Sequence, residues 1–332
     1  MQKFTNAIGI DVSKLTLDLH DHVNDLRIEV DNTTAGFKKL IQWSQKNNTD
    51  FSTVFFCFEH TGLYSLPLAI FLTENQVPYA VVPGIEIKRS VGITRGKNDQ
   101  VDAKRIAGYA YLRREQINLY SLPSTNLLEL KSFLTLREKM VSQRAGYMAS
   151  KKEMLDFFKV VKSSSVLFEV QEKMINQLDA QIEKVESQIK KIIDKDEHLK
   201  KIFQLVTSVK GVGLVVGVSL MVYSNCFTTF KDWRKFASYC GVAPFEYVSG
   251  TSVKGKTKVH YLANKRIKAL LSNAATVSIQ HNPEMKLYYQ KRLKEGKNKM
   301  STINIIRNKV LARVFAVVQR GTPYVNILKF AA

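Results

Sequence analysis

The 332-residue chain is short of cysteine, of long hydrophobic runs and, in its last third, of acid. Its three cysteines, Cys57, Cys226 and Cys240, follow no repeated spacing, so neither a disulfide framework nor a Cys/His zinc site is expected, and the thiols read as small core residues. No uncharged apolar run approaches the roughly 18 residues that a membrane span needs. Gly211 to Tyr223 holds only 13 and follows Lys210. The opening Met1-Gln-Lys-Phe-Thr-Asn6 lacks the apolar stretch of a secretory leader. A cytoplasmic protein with no membrane partner is expected, large enough to bury a core in two or three domains.

What is present is positive charge, unevenly placed. Residues 1–124 carry 14 basic against 13 acidic residues, residues 125–200 carry 14 against 12, and residues 201–332 carry 22 against 4, so +18 of the net +21 lies in the last segment. A field of that size and sign is the footprint of a polyanion binder, and nucleic acid is the usual polyanion. The near-neutral first 200 residues fit neither a ribosomal nor a membrane-surface protein.

The stretch around which the chain is organised is Asn6-Ala-Ile-Gly-Ile-Asp11-Val-Ser-Lys14. Ile8, Ile10 and Val12 alternate with small or polar residues, and Leu15, Leu17 and Leu19 repeat the pattern after a tight Ser13-Lys14 connection, which predicts a β-hairpin. An acid inside such a strand is costly to desolvate unless it is hydrogen-bonded or holds a cation, so Asp11 asks for a partner. A third strand is expected over Leu26 to Val30, then a helix capped by Thr34, then a buried strand through Val54-Phe-Phe-Cys-Phe58 that ends in Glu59. A helix to about Asn75, a fifth strand over Val77 to Val82 and a helix from about Asn98 to Arg114 complete a ribonuclease-H-like α/β order. Asp99 and Asp102 stand three apart at the start of that last helix and share one of its faces. Acids in a first turn are common for dipole reasons alone. Two from strand ends and two from one helix face, however, would repel unless a divalent cation neutralised them. All-oxygen donors suit Mg²⁺ and phosphoryl transfer.

Residues 125–200 repeat apolar side chains at threes and fours among Lys and Glu, which predicts two long helices broken near Ser163-Ser-Ser165. They are read either as a coiled-coil arm or dimer interface, or as a hairpin packed on its own protein. Val206 to Gly217 has the look of a helix-hairpin-helix, with a glycine turn suited to a phosphate. Further on, Gly241-Val-Ala-Pro244 leads to Ser249-Gly250, then to Lys254, Lys256 and Lys258 at alternate positions, and then to a basic helix opened by Asn264-Lys265-Arg266. Alternating lysines on an extended segment can track a phosphate backbone. Ser249 is either a nucleophile or an ordinary loop serine.

Together these pieces resemble the DEDD transposases of bacterial insertion sequences, the bridge-RNA-guided serine recombinases. Ile8-Gly-Ile-Asp11-Val-Ser-Lys14 is similar to the family's first acidic motif, Glu59-His-Thr-Gly62 to the second, and Lys97-Asn-Asp99-Gln-Val-Asp102-Ala103 to the third and fourth. Gly241-Val-Ala-Pro244 followed by Ser249-Gly250 is similar to the motif holding the family's nucleophilic serine. Val248 stands where a polar residue is usual, and Ala263-Asn264 replaces the usual Gly-Asn; neither removes a reacting group.

The resemblance implies an α/β plus α protein with three parts: a resolvase-like (RuvC-like) metal-binding domain over 1–124, a helical coiled-coil arm over 125–200, and a mainly helical, basic transposase domain over 201–332. It further implies Mg²⁺ on Asp11, Glu59, Asp99 and Asp102, and a covalent link from Ser249 to donor and target DNA. A structured guide RNA, dimers pairing into a tetramer whose protomers share each site, and a nucleoid-associated bacterial setting belong to the same reading. Its rivals are a metal-dependent endonuclease of the resolvase type with Ser249 a bystander, and a non-catalytic nucleic-acid-binding protein. Candidate nucleic-acid contacts are Lys210, Lys254, Lys256, Lys258, Lys265 and Arg266.

If the basic segment is the binding surface, affinity for duplex DNA falls with salt at a log–log slope of about −0.9 per phosphate contacted. Removing Lys254, Lys256 and Lys258 together is expected to flatten the slope in a titration over several salt concentrations. An unchanged slope would place the surface elsewhere.

Overall fold

A computed structural model describes residues 4–90, 99–161, 165–230, 232–249 and 253–325. The chain divides into two compact units, Met1–Leu122 and Pro123–Ala332.

The first unit opens with a meander, β1 Asn6–Val12, β2 Thr16–Asp21 and β3 Leu26–Asp31, followed by α1 Thr34–Asn47, β4 Val54–Glu59, α2 Leu66–Glu74 and β5 Tyr79–Val82. A short α3, Gly84–Ser90, and then α4, Asp99–Leu112, complete it. The sheet is mixed, ordered β3-β2-β1-β4-β5, with β2 antiparallel to both neighbours and β1, β4 and β5 parallel. Helix α1 is capped one residue earlier than the sequence suggests: Thr33, not Thr34, accepts the Gly36 N–H at 3.3 Å. The α3 turn went unpredicted, because Pro83-Gly84 reads as a terminator.

The strand alternation decides what each face of the sheet meets. Ile8, Ile10 and Val12 pack with Leu17, Leu19, Phe56, Phe58, Leu40 and Leu72 on the side of α1 and α2. Ala7, Phe55, Cys57 and Ala80 pack with Ile106, Tyr109 and Ala110 on the side of α4. Each fully buried Phe on these faces contributes about 2–3 kcal/mol. Cys57 is buried, which pushes its thiol up to about 12, so it is core filling and not a nucleophile.

Helix α4 touches the backbone of β1. A methyl group on Gly9 would lie 2.2 Å from Ala107 N and 2.4 Å from Ala103 O, so only glycine permits this approach. Gly108, the residue after Ala107, faces His22, whose backbone N–H bonds the Ala7 carbonyl near the start of β1. The helix therefore runs back along the strand, with its first turn towards the end that carries Asp11.

At the other end of β1, the Asp21 carboxylate is fully buried and accepts hydrogen bonds from Asn6 Nδ2 at 2.7 Å, Asn24 N at 3.0 Å, Asn24 Nδ2 at 3.1 Å and Asn48 Nδ2 at 2.9 Å. Burial opposes its ionisation, but these donors outweigh it and hold the carboxyl below the ordinary aspartate value. One side chain thereby ties β1, the β2–β3 turn and the end of α1 together.

The second unit begins with α5, Thr125–Val161, and α6, Ser165–Lys195; Ser163 and Ser164 of the expected break lie outside the described residues. Ion pairs Arg137–Glu186, Arg144–Asp179 and Lys151–Glu172 step by seven residues along each helix in opposite directions, so the two form an antiparallel hairpin in fixed register. Ile175, Ile182 and Ile189 keep the same spacing on the buried side. At about 1.5 Å per residue, α5 is about 55 Å long. After it come α7 Glu197–Thr207, α8 Leu214–Tyr223, α9 Trp233–Tyr239, the hairpin strands β6 Phe245–Ser249 and β7 Val253–Lys258, α10 Lys265–His281, α11 Pro283–Lys294 and α12 Lys299–Arg320. Leu127, Leu130, Ile189 and Ile193 share one core with Leu205, Phe236, Leu271 and Phe315, so the base of the long hairpin and the basic helices are packed together. The expected boundary at 200/201 falls inside α7.

Two consequences can be measured. Because the folded-state pKa of Asp21 is depressed, the unfolded chain takes up the proton more readily, so its stabilisation is full at neutral pH and fades as pH falls below about 4. Asp21→Ala is expected to cost roughly 2–4 kcal/mol at pH 7 and distinctly less at pH 3.5 in urea unfolding. Gly9→Ala is expected to cost about 3 kcal/mol or more through the clash with α4, whereas Gly108→Ala is expected to be neutral or to stabilise by about 0.5–1 kcal/mol; thermal unfolding separates them.

Candidate active site

The face of the sheet that meets α4 gathers the acids. In β1, Asp11 follows Ala7 and Gly9 in the strand period, and in β4, Glu59 follows Phe55 and Cys57. The two strands pair in parallel as far as Ile10 and Phe58, so Asp11 and Glu59 come next on neighbouring strands about 4.8 Å apart. Gly84, where α3 begins, lies against Glu59: a methyl group there would be 2.3 Å from its carboxylate. From α4, Asp102 is a quarter exposed and pairs with Arg105 at 2.8 Å. Asp99 is the first residue of α4; its side chain lies outside the described residues.

Two acids that carry no motif join this face. The β1–β2 register sets Asp11 opposite Asp18, and the β2–β3 register sets Asp18 opposite Glu29, so three acids form a row across three strands. Asp18 is buried and, with Arg27, Glu29 and Gln100, lines a cavity of about 200 Å³. Arg27 donates to Gln100 in the first turn of α4. The tight Ser13-Lys14 connection fixes this register, and counting outward from it is the signal that finds Asp18.

Among the described residues, no three His, Cys, Asp or Glu side chains converge closely enough to hold a metal ion. By donor chemistry, Asp11, Glu59 and Asp102 fit a hard divalent cation. They are carboxylates without soft ligands, on one face of one unit, although Asp102 would have to share its carboxylate with Arg105.

In the second unit, the Gly-x-x-Pro turn is pinned in place. Gly241 has φ +67°, and the Val242 carbonyl accepts two side-chain amides, from Asn304 and Asn308, each at 2.8 Å. This fixes the start of β6, whose last residue, Ser249, pairs with Val253 across the hairpin. The Ser249 side chain and residues 250–252, including Gly250 and Ser252, lie outside the described residues. So do the side chains of Lys254 and Lys256, which occupy alternate positions of β7.

Lys210, Lys258, Lys265 and Arg266 are exposed. Arg266 pairs with Glu138 at 2.9 Å, so part of its charge is already met within the protein. Asn264 caps α10 by accepting from Arg266 N and Ile267 N. In the turn between α7 and α8, Gly211 is committed to packing: a methyl group there would lie 2.3 Å from Ser278 Oγ. Gly213, which caps α8, is open.

Among the described residues, no helix is long and apolar enough to cross a membrane. Residues 8–159 match a transposase family model of the DEDD type, and residues 203–290 match the model described as the transposase IS116/IS110/IS902 family. The chain is 26% identical over 327 residues to the pilin gene-inverting protein of Moraxella bovis, covering 96% of this chain and 97% of that one. The pilin gene-inverting protein of Moraxella lacunata matches at the same identity and coverage. An uncharacterized 43.6 kDa protein of insertion element IS110 from Streptomyces coelicolor is 28% identical over 120 residues, covering 36% of this chain and 29% of that protein. With four acidic motif residues in its first unit and the Gly-x-x-Pro and Ser-Gly segment in its second, each within or beside a matched region, the chain belongs to the IS110 family of DEDD transposases, recombinases that act on DNA.

Proposed function

We propose that the chain cuts and rejoins DNA through a covalent phosphoserine intermediate, with Ser249 as the nucleophile and Mg²⁺ on Asp11, Glu59, Asp99 and Asp102. The observation that carries this reading is the seating of α4 on β1 at Gly9, which brings the helix bearing Asp99 and Asp102 back along the strand that bears Asp11, beside the one ending in Glu59. Asp11, Glu59 and Asp102 come from three elements onto that one face of the sheet, which supports the reading.

In the step proposed, Ser249 Oγ donates an electron pair to a backbone phosphorus while the phosphorus–oxygen bond to one deoxyribose breaks. The freed sugar oxygen takes up a proton and the serine hydroxyl loses one. Attack by a sugar hydroxyl of another strand reverses the step and releases the serine, so the strand is exchanged without net hydrolysis. A bound divalent cation supplies charge neutralisation on the phosphate and the leaving oxygen. No histidine adjoins Ser249; His260 is the nearest in sequence. The exposed Lys258 and Lys265 fit contacts to flanking phosphates. Similarity over nearly the whole chain to proteins named for inverting a gene favours exchange over hydrolysis, and hence over a resolvase-type nuclease.

The α5–α6 hairpin serves, in this reading, as a coiled-coil arm between protomers of a dimer that pairs into a tetramer. Exposed Met148, Phe157, Val166 and Val170 towards its outer end support that role. A structured RNA supplies target choice, in keeping with a basic segment that need not itself read many bases. An RNA that copurifies with the protein and matches DNA beside its gene is the expected sign.

The test mixes Ser249→Ala protein with Asp11→Asn protein on paired DNA substrates. Each alone is expected to be inactive and folded, and the mixture is expected to recover recombination if serine and acids act from different chains. Denaturing gels are expected to show a protein–DNA adduct with wild type and none with Ser249→Ala. An adduct formed by Ser249→Ala alone would overturn the assignment.

A further inference from the structure

Two open grooves in the second unit meet at Phe245, the first residue of β6. One, of about 590 Å³, is lined by Trp233, Arg234 and Lys235 of α9 together with Phe245. The other, of about 510 Å³, flanks the β6–β7 hairpin and is lined by Phe245, Lys258 and Tyr261, with Glu246 as an acid in its wall. Phe245 is 55% exposed and Tyr261 66%. Rings and polar groups are interleaved: the Arg234 guanidinium sits 4.9 Å from the Trp233 ring centre, and the His260 ring stacks on Tyr261 at 4.7 Å.

Rings left open to water beside lysines and arginines suit a ligand with a flat apolar face and a negative chain on either side. An unpaired nucleotide has both, since every base offers a π-face and its phosphates meet the cations. A base inside a duplex has its faces covered by its neighbours and cannot stack on Phe245. The net +18 over residues 201–332 makes the charge match.

We propose that these grooves hold an unpaired DNA base stacked on Phe245, next to the strand attacked by Ser249. The inference rests on the function proposed above and adds a subsite to it. Phe245 and Ser249 stand four residues apart on one strand, about 13 Å, which matches roughly four nucleotides of B-form rise. The occupant is DNA, because the hairpin that carries the nucleophile begins at this ring. The base concerned therefore lies within about four nucleotides of the cleaved phosphate, and the duplex must be opened locally before exchange.

Binding is measured with full-length Ser249→Ala protein, so that no chemistry intervenes. The probes are a 30-base-pair duplex, the same duplex with a four-nucleotide single-stranded gap, and a single-stranded RNA of the gap-strand sequence; 2-aminopurine is placed in the gap and at the matching RNA position. The gapped DNA is expected to bind about tenfold more tightly than the intact duplex, with its 2-aminopurine emission quenched. Phe245→Ala is expected to lose that tenfold preference and the quenching, while leaving duplex affinity within about twofold. Phe245→Tyr is expected to keep both. Equal affinity for gapped and intact DNA would overturn the inference and leave the recombinase reading standing, as would equal weakening of both by Phe245→Ala. Equal quenching on the RNA would overturn the assignment to DNA. Failure to bind any of the three probes would sink the proposed function itself.

Discussion

The N-terminal site depends on how closely α4 approaches β1. A helix usually rests on a sheet through a layer of side chains, so its backbone stands well off the strands. Here that layer is missing at one point, because Gly9 has no side chain and Ala103 and Ala107 offer only methyl groups. Contact of backbone on backbone fixes both the height of the helix and its position along the strand. A helix lifted by a side-chain layer would carry Asp102 away from the strand ends, and the acids would become unrelated surface charges. Small residues in both partners are thus a condition for the site, although none of them could take part in chemistry.

The register of the meander concentrates negative charge. Asp11, Asp18 and Glu29 face one another across three adjacent strands, an arrangement that like charges make unfavourable in a sheet. Basic side chains stand nearby: Arg27 reaches Gln100 in the first turn of α4, and Arg105 is bound to Asp102. Asp21 shows what this sheet does with a purely structural carboxylate, namely bury it completely and surround it with amide donors. The treatment of Asp11, Asp102 and Glu59 is different. They stay partly open to solvent on one face.

Much of this was legible in the sequence because period and polarity were enough to reveal it. Alternation gave the meander, the apolar run through Phe58 gave the central strand with Glu59 at its end, and spacing gave Asp99 and Asp102 on one helix. Features that depend on register were hidden: Asp18 is an ordinary alternating residue until the Ser13-Lys14 turn sets it opposite Asp11. The seven-residue ladder of ion pairs in the α5–α6 hairpin is invisible for the same reason, since neither helix alone says which residue of the other it meets. The groove at Phe245 was hidden too, because an aromatic that opens a strand reads as core, whereas here more than half of it faces water. Glycine roles in the Val206 to Gly217 turn were hidden likewise: Gly211 packs against Ser278, whereas Gly213 is open.

The two units divide the work by charge. In the function proposed, a site made of carboxylates would repel the phosphate on which it acts, and the first 124 residues, with 14 basic against 13 acidic, have no surplus to draw DNA in. On that reading the attraction comes from residues 201–332, whose +18 can hold a duplex by releasing counterions without recognising its sequence. Such binding is strong, salt-sensitive and indiscriminate, so it can hold DNA but cannot choose it. Choice must then come from steps that cost energy at wrong sequences, and opening a duplex so that a base can leave its stack is one such step. A chain organised this way keeps affinity, selection and chemistry on separate parts, and each can be disabled by a different substitution.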